Sequence, residues 1–390
     1  MAVKLKQMIK NKLEEDKTLA NKLAKLAGFA NATPIYKFLN EENREMNDFE
    51  SLLTIVRELF HNEEYKLMDE YLRQVDPNKK TARIGLEYAT INHMYDLKKY
   101  LIEAMESCNN KESKEFAYFY KMDDIASKEN DKDVLLGFID KYIEYAPKTK
   151  EMMLFSKLCQ IYVYYDLRLI DIMYQLLMTV ENKIDEITDL FLKKSYKKRI
   201  ALLFSGILLH KGEIEKSREY AKYVIENQRE NEEFSMIYMK LGNSYMFEDF
   251  DKAKIYLEKG LSQAKEKYLV KKNIERSLNF LCNYWGYKPE YLNFNSNEVE
   301  DLHEVIFFFI NQNEKEKAKE LLSNIDLNRL TEHQKGFHYY LIYKIDNDVN
   351  HLYESLISFK KCGEHFYKNI ALIELKKLGL DDNLLKALSI

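Results

Sequence analysis

Glycine and proline are scarce: 390 residues hold 11 Gly and 4 Pro, against ordinary usage of roughly 7% and 5%. So few turn-formers cannot punctuate the short strands of a β-rich fold, and the chain reads as all-α. Cysteine is nearly absent as well. Cys108, Cys159, Cys282 and Cys362 stand far apart with no CxxC spacing, which argues against a zinc site and for free thiols in a reducing compartment. No apolar run approaches the roughly 18 residues that span a bilayer. The longest, VIFFFI at 305–310, reads as one buried helix turn and a half. With no signal segment at the start, the expectation is a soluble, cytoplasmic protein.

Catalytic signatures are missing too. The eight histidines form no HxxxH or HExxH spacing, and no GxxxxGKS/T, GxGxxG or GxSxG occurs, so neither a metal centre nor a phosphate loop nor a nucleophile elbow is expected. Carboxylate pairs such as Asp123 with Asp124, or Asp381 with Asp382, are sequence neighbours and project from different sides of a helix. They suit solvated charge better than acid–base work. The expectation is no enzyme and no cofactor.

What is present begins with the turn Leu23 to Leu39, LAKLAGFANATPIYKFL. Leu23, Leu26, Ala27, Ile35, Phe38 and Leu39 have helical spacing on both sides of Gly28, as in two short helices meeting at a corner. Gly28 suits a positive φ where the first helix ends. Thr33 and Pro34 supply an N-cap and a first-turn proline for the second. Such a corner is a helix-turn-helix arrangement, with Lys22, Lys25, Asn31, Thr33, Tyr36 and Lys37 as candidate DNA contacts. Charge agrees: residues 1–40 carry eight Lys against Glu14, Glu15 and Asp16, a net of +5, while the whole chain carries −4. Phosphate attraction needs such asymmetry, though a basic face is also what an ordinary solvated helix shows. Asn47 or Asp48 is placed to cap a helix through FESLLTIVRELF. That helix closes a head at residues 1–61, with no linker composition after it.

Beyond residue 62 the pattern repeats. Residues 234–264 match the tetratricopeptide pattern at Tyr238, Leu241, Gly242, Tyr245, Ala253, Leu257 and Gly260, with an inter-helix loop one residue short. A degenerate copy carries Leu203, Gly206, Leu209, Gly212, Ser217, Ala221 and Val224. Weaker helix pairs precede and follow, and roughly nine pairs fit from residue 62 onward. Stacked pairs form a right-handed superhelix, here over residues 62–378, whose concave face suits an extended peptide. Asn243, Tyr245, Phe280, Asn283 and Trp285 are candidates to line it, with ordinary inter-helix packing as the competing reading of each aromatic. Residues 379–390, with Leu380, Leu384, Leu385 and Leu388 at helical spacing, form either a capping helix or a two-fold dimer contact.

The chain resembles the peptide-responsive tetratricopeptide regulators of Gram-positive bacteria and their phages, the RRNPP group. Within it the resemblance is to the phage arbitrium receptors, AimR. It is carried by LAGFANATPIYKFLN, KTARIGLEYA, MESCNNKESKE, GNSYMFEDFDKAKIYLEKGLS, FLCNYW, FINQNEKEKAKELL and HYYL at 338–341. The resemblance implies a homodimeric transcription factor in the host bacterial cytoplasm that binds a two-half-site operator. It activates a lysogeny-inhibiting regulator when free and is silenced by a short hexapeptide in its C-terminal groove. The pocket positions it implies here are Asn243, Met246, Phe280, His303, Glu364 and Phe366. Glu364 supplies the acidic charge opposite an arginine of the peptide. Gly206, His210, His303 and Glu232 depart from the family pattern, and Arg229 is the candidate to replace the basic residue that holds the peptide carboxylate. A different reading, a repeat scaffold that sequesters a protein partner under peptide control, remains open at this point.

Overall fold

A computed structural model describes residues 3–41, 43–46, 48–129, 131–167, 169–227, 234–264 and 268–389. Every regular element among them is helical, as the shortage of turn residues leads one to expect. Contacts sort the chain into two compact units, Met1–Leu167 with Leu176–Ile200, and Arg168–Gln175 with Ala201–Ile390.

The first unit opens with α1 (Val3–Glu15), α2 (Leu19–Leu26), α3 (Thr33–Asn40) and α4 (Phe49–Phe60). Leu5, Ile9 and Leu13 of α1 are buried with Leu23, Ile35 and Phe38, whereas Leu26 of the expected apolar set is 49% exposed and Ala27 and Leu39 are only partly buried. Gly28 has φ +77°, the left-handed geometry that only a residue without Cβ adopts cheaply. Ser51 on α4 donates to the Ala27 carbonyl at 2.8 Å and pins the corner. Lys6 donates to the carbonyls of Glu41 (2.7 Å) and Arg44 (2.8 Å), satisfying acceptors just beyond the end of α3.

Two capping expectations resolve differently. Asp48 caps α4, accepting from the Glu50 amide at 3.3 Å, whereas Asn47 lies outside the described residues. Thr33 is not the cap of α3. It is the first helical residue, Ala32 holds the cap position, and the Asn31 side chain accepts from the Thr33 amide at 2.9 Å. The Asn31 side chain accepts from the amide two residues on, an Asx turn that leads the chain into the first turn of α3.

Helices α5 (Glu64–Leu72), α6 (Lys80–Ile91), α7 (Tyr95–Ser107), α8 (Lys111–Ala126), α9 (Lys132–Glu144), α10 (Lys150–Asp166) and α11 (Ile170–Glu181) follow, and α12 (Leu190–His210) runs on into the second unit's stretch of chain. The first unit's interior holds an ion cluster. Glu87 is 0% exposed, pairs with Arg199 through two bonds of 2.9 and 3.0 Å, and accepts from Tyr120 at 2.7 Å and from Ser195.

The second unit continues with α13 (Ile214–Glu226), α14 (Ser235–Ser244), α15 (Phe250–Gln263), α16 (Tyr268–Trp285), α17 (Val299–Asn311), α18 (Lys315–Ser323), α19 (Glu332–Asp346), α20 (Val349–Lys361), α21 (Asn369–Lys377) and α22 (Asp382–Ser389). From α5 to α22 there are eighteen α-helices among the described residues, an odd number of them on either side of the α14–α15 pair, so they do not resolve into nine consecutive pairs. Glycine sets the closest approaches. A Cβ on Gly242 would lie 2.7 Å from Leu257 and 3.0 Å from the Ala253 carbonyl, so α14 and α15 pack only because that atom is missing. VIFFFI is buried within α17 except for half-exposed Phe308, as read.

Candidate functional site

The second unit contains a recess of about 140 Å³. It is built from one face of each of three helices: Arg276, Ser277 and Phe280 of α16; His303, Glu304 and Phe307 of α17; His333, Phe337 and Tyr340 of α19. The spacings of three and four residues place each set on a single face. Tyr367, from the segment between α20 and α21, completes the wall. Helices α18 and α20, the second members of their pairs, contribute nothing to the lining. The lining is not confined to one member of each pair, since the consecutive helices α16 and α17 both contribute. Thr331 fixes the start of α19 through a reciprocal capping box with Gln334, which sets the height of His333 and Phe337 in the wall.

The polar groups around the recess are engaged with one another. Arg276 meets Asp301 at 2.5 Å and Glu298 at 2.6 Å. Gln334 donates to Glu300 at 2.8 Å, and Asn283 donates to Glu304 at 2.9 Å. Nε2 of His303 lies 3.3 Å from Nδ1 of His338. Burial, with His338 and His333 adding repulsion, pushes His303 down to about 3, and burial takes His338 down to about 4. Both rings are therefore neutral at pH 7. Burial also raises Glu304 to about 8, so this carboxyl is largely protonated there.

Of the expected groove residues, His303 and Phe280 line the recess. The others are distributed differently. Asn243 sits on α14 with its side-chain oxygen buried and lacking a hydrogen-bond partner among the described residues. Met246 and Phe366 are core residues; Phe366 packs against Phe247 at 4.9 Å. Tyr245 is covered by Arg218, 3.7 Å from its ring, and Trp285 donates to the Met246 carbonyl at 2.8 Å. Both serve packing. Glu364 is 3% exposed. Its Oε2 lies 2.6 Å from Nδ1 of His210, and its Oε1 accepts from the amides of Phe366 (3.1 Å) and Tyr367 (3.2 Å). Burial alone would raise this carboxyl, but the His210 charge and hydrogen bond, with His333, hold it below the usual range. Arg229 and Glu232 lie outside the described residues. Arg276, Glu304, His333, Phe337, Tyr340 and Tyr367 were missed; only the HYYL segment had drawn attention to one of them.

In the first unit, Lys22, Lys25, Asn31, Thr33, Tyr36 and Lys37 are all exposed, while Ile35 and Phe38 of the same helix are buried. Tyr36, a large ring, is 46% exposed. Lys22 is partly neutralised by Glu58 at 2.5 Å. At the far end, Leu380, Leu385 and Leu388 pack on the second unit's core, and Leu384 is 55% exposed.

An all-helical chain whose second unit holds an aromatic-lined recess, with a basic corner near the beginning of the first, belongs to the class of helical-repeat proteins. Residues 64–377 match the family model "AimR transcriptional regulator-like". The AimR transcriptional regulator of Bacillus phage SPbeta is 33% identical over 383 residues, covering 97% of this chain and 98% of its own length. That of Bacillus phage phi3T is 32% identical, covering 98% and 100%. Among solved structures, SeMet-phAimR aligns with a TM-score of 0.72 at 32% identity over 99% of this chain and all of its own. A ligand-bound phAimR aligns at 0.73 and 29% over 87% of this chain and all of its own. The chain belongs to the AimR transcriptional regulator-like family. It is a transcriptional regulator and not an enzyme, and none of its described helices is long and apolar enough to cross a membrane.

Proposed function

We propose that this regulator binds operator DNA through the α2–α3 corner of a head at residues 1–61, and that a short peptide in the inner recess of residues 62–378 silences it. In this reading the free protein is a homodimer paired through residues 379–390, with Leu384 at the contact. It activates a gene that blocks lysogeny, and the peptide, imported into the host cytoplasm, ends that activation. The observation that carries the DNA reading is the division of α3, whose buried Ile35 and Phe38 oppose exposed Tyr36 and Lys37. The helix thereby offers a polar face on a pinned corner. Phage relatives named as transcriptional regulators support the context, and a relative solved with a ligand supports a ligand-controlled body.

Retention on operator DNA, measured against salt, tests the head. Lys37→Ala removes one phosphate contact and should lower the slope of log K against log salt by about 0.9. A slope and affinity unchanged in both Lys37→Ala and Tyr36→Ala would refute this reading surface. Full regulatory activity after deletion of residues 1–45 would favour the sequestering scaffold instead.

A further inference from the structure

We propose that the recess admits one uncharged apolar side chain of the ligand, of leucine to phenylalanine size, and rejects arginine there. The proposal rests on the peptide reading above and adds the chemistry of the side chain selected.

The walls come first. Phe280 and Phe337 stand 5.5 Å apart edge-to-face, Phe337 and Tyr367 5.2 Å, and Phe307 and Tyr340 5.9 Å. Interlocked rings of this kind hold a fixed apolar shape. A volume of about 140 Å³ is close to that of apolar cavities, about 150 Å³, that take up benzene. One branched aliphatic side chain or one phenyl ring fills it.

The charges on the rim are the second observation. Arg276 is committed to Asp301 and Glu298, Glu300 receives Gln334, Glu304 receives Asn283, and the two neutral histidines face each other. A guanidinium buried among these rings would find Arg276 already on Asp301 and Glu298 and Asn283 already on Glu304, with only the half-exposed Glu300 at the rim to receive it.

The third observation concerns Glu364, the carboxylate that the resemblance assigns to an arginine. It does not line the recess. His210 and two backbone amides already occupy most of its acceptor positions. An incoming arginine would have to displace His210 from a carboxylate that is nine-tenths or more buried. His210 therefore stands where the ligand's cation would otherwise go.

Selection of a fully randomised hexapeptide library on the immobilised full-length protein tests this. Leu, Ile, Met or Phe should be enriched at least tenfold over Arg at one position. Ser277→Leu, which fills the recess from its half-exposed rim, should abolish that preference. Phe337→Leu, which widens it, should shift the preference toward Trp. Circular dichroism of each variant reports its folding, and either variant alone suffices. Arginine enriched at that position and lost in Glu364→Gln would overturn the proposal while leaving the peptide reading intact. An apolar preference unmoved by both recess variants would overturn it equally. Retention of no hexapeptide at all would sink the peptide reading and this inference with it.

Discussion

The two compact units differ in how they bury the ionisable groups at Glu87 and at His303, although each also buries polar atoms without a partner among the described residues, Tyr71 and Tyr142 in the first and Asn243 and Asn283 in the second. In the first, Glu87 is closed by Arg199, Tyr120 and Ser195, an ion pair with its acceptor sites filled. In the second, His303 and His338 are buried without charge and Glu304 with its proton, beside the ionised Glu364, and Asn243 keeps an acceptor with no partner among the described residues. A filled ion cluster has one arrangement and resists rearrangement. A neutral, aromatic interior with a spare acceptor has something left to offer a ligand.

Breaking the cluster should give the largest effect. Arg199→Ala leaves Glu87 buried and uncompensated, and the denaturant midpoint should fall by the equivalent of about 3–5 kcal/mol. A loss under 1 kcal/mol would erase the contrast between the units. The second test is acid. His303 titrates far below its ordinary value when folded, so the unfolded chain takes up the proton first. The stability it lends is complete above pH 6.5 and drains as pH falls toward 3. Between pH 7 and 5 that amounts to about 2 kcal/mol. Glu304 works with the opposite sign, favouring the fold at low pH and losing that contribution as pH rises through about 8. His303→Gln should therefore shrink the acid loss by about 2 kcal/mol relative to the parent protein, measured by urea unfolding at both pH values.

Smaller effects sharpen the picture. Thr331→Ala removes the capping box of α19 and should cost about 1 kcal/mol, with looser amide exchange at His333 and Gln334. Leu384→Asp, at an exposed position, should change monomer stability by less than about 0.5 kcal/mol. If residues 379–390 pair two copies, the same change should lower the dimer fraction in sedimentation. An unaffected dimer would assign that segment to capping alone.

Much of the body was legible in the sequence because repeats write themselves in small residues. Gly242 marks the α14–α15 contact where a Cβ would collide with Leu257, and Gly28 marks a corner that needs positive φ. The recess was not legible in the same way. Its lining comes from α16, α17, α19 and the segment holding Tyr367, and aromatic residues in a helical repeat look alike whether they face a core or a cavity. Phe366 and Tyr367 are sequence neighbours, yet one is core and the other wall. Glu364 shows the same limit. Its charge could be read from the chain, but the occupation of that charge by His210 could not.

By itself the sequence determined the helical class, the repeat register, the basic corner and the family resemblance, because helix periodicity, glycine placement and charge asymmetry are local properties. Only the tertiary structure decided which polar groups are already satisfied. Hydrogen bonds such as His210 to Glu364, 154 residues apart, exist only once distant helices meet, and the chemistry left free for a ligand is what remains after those bonds are made.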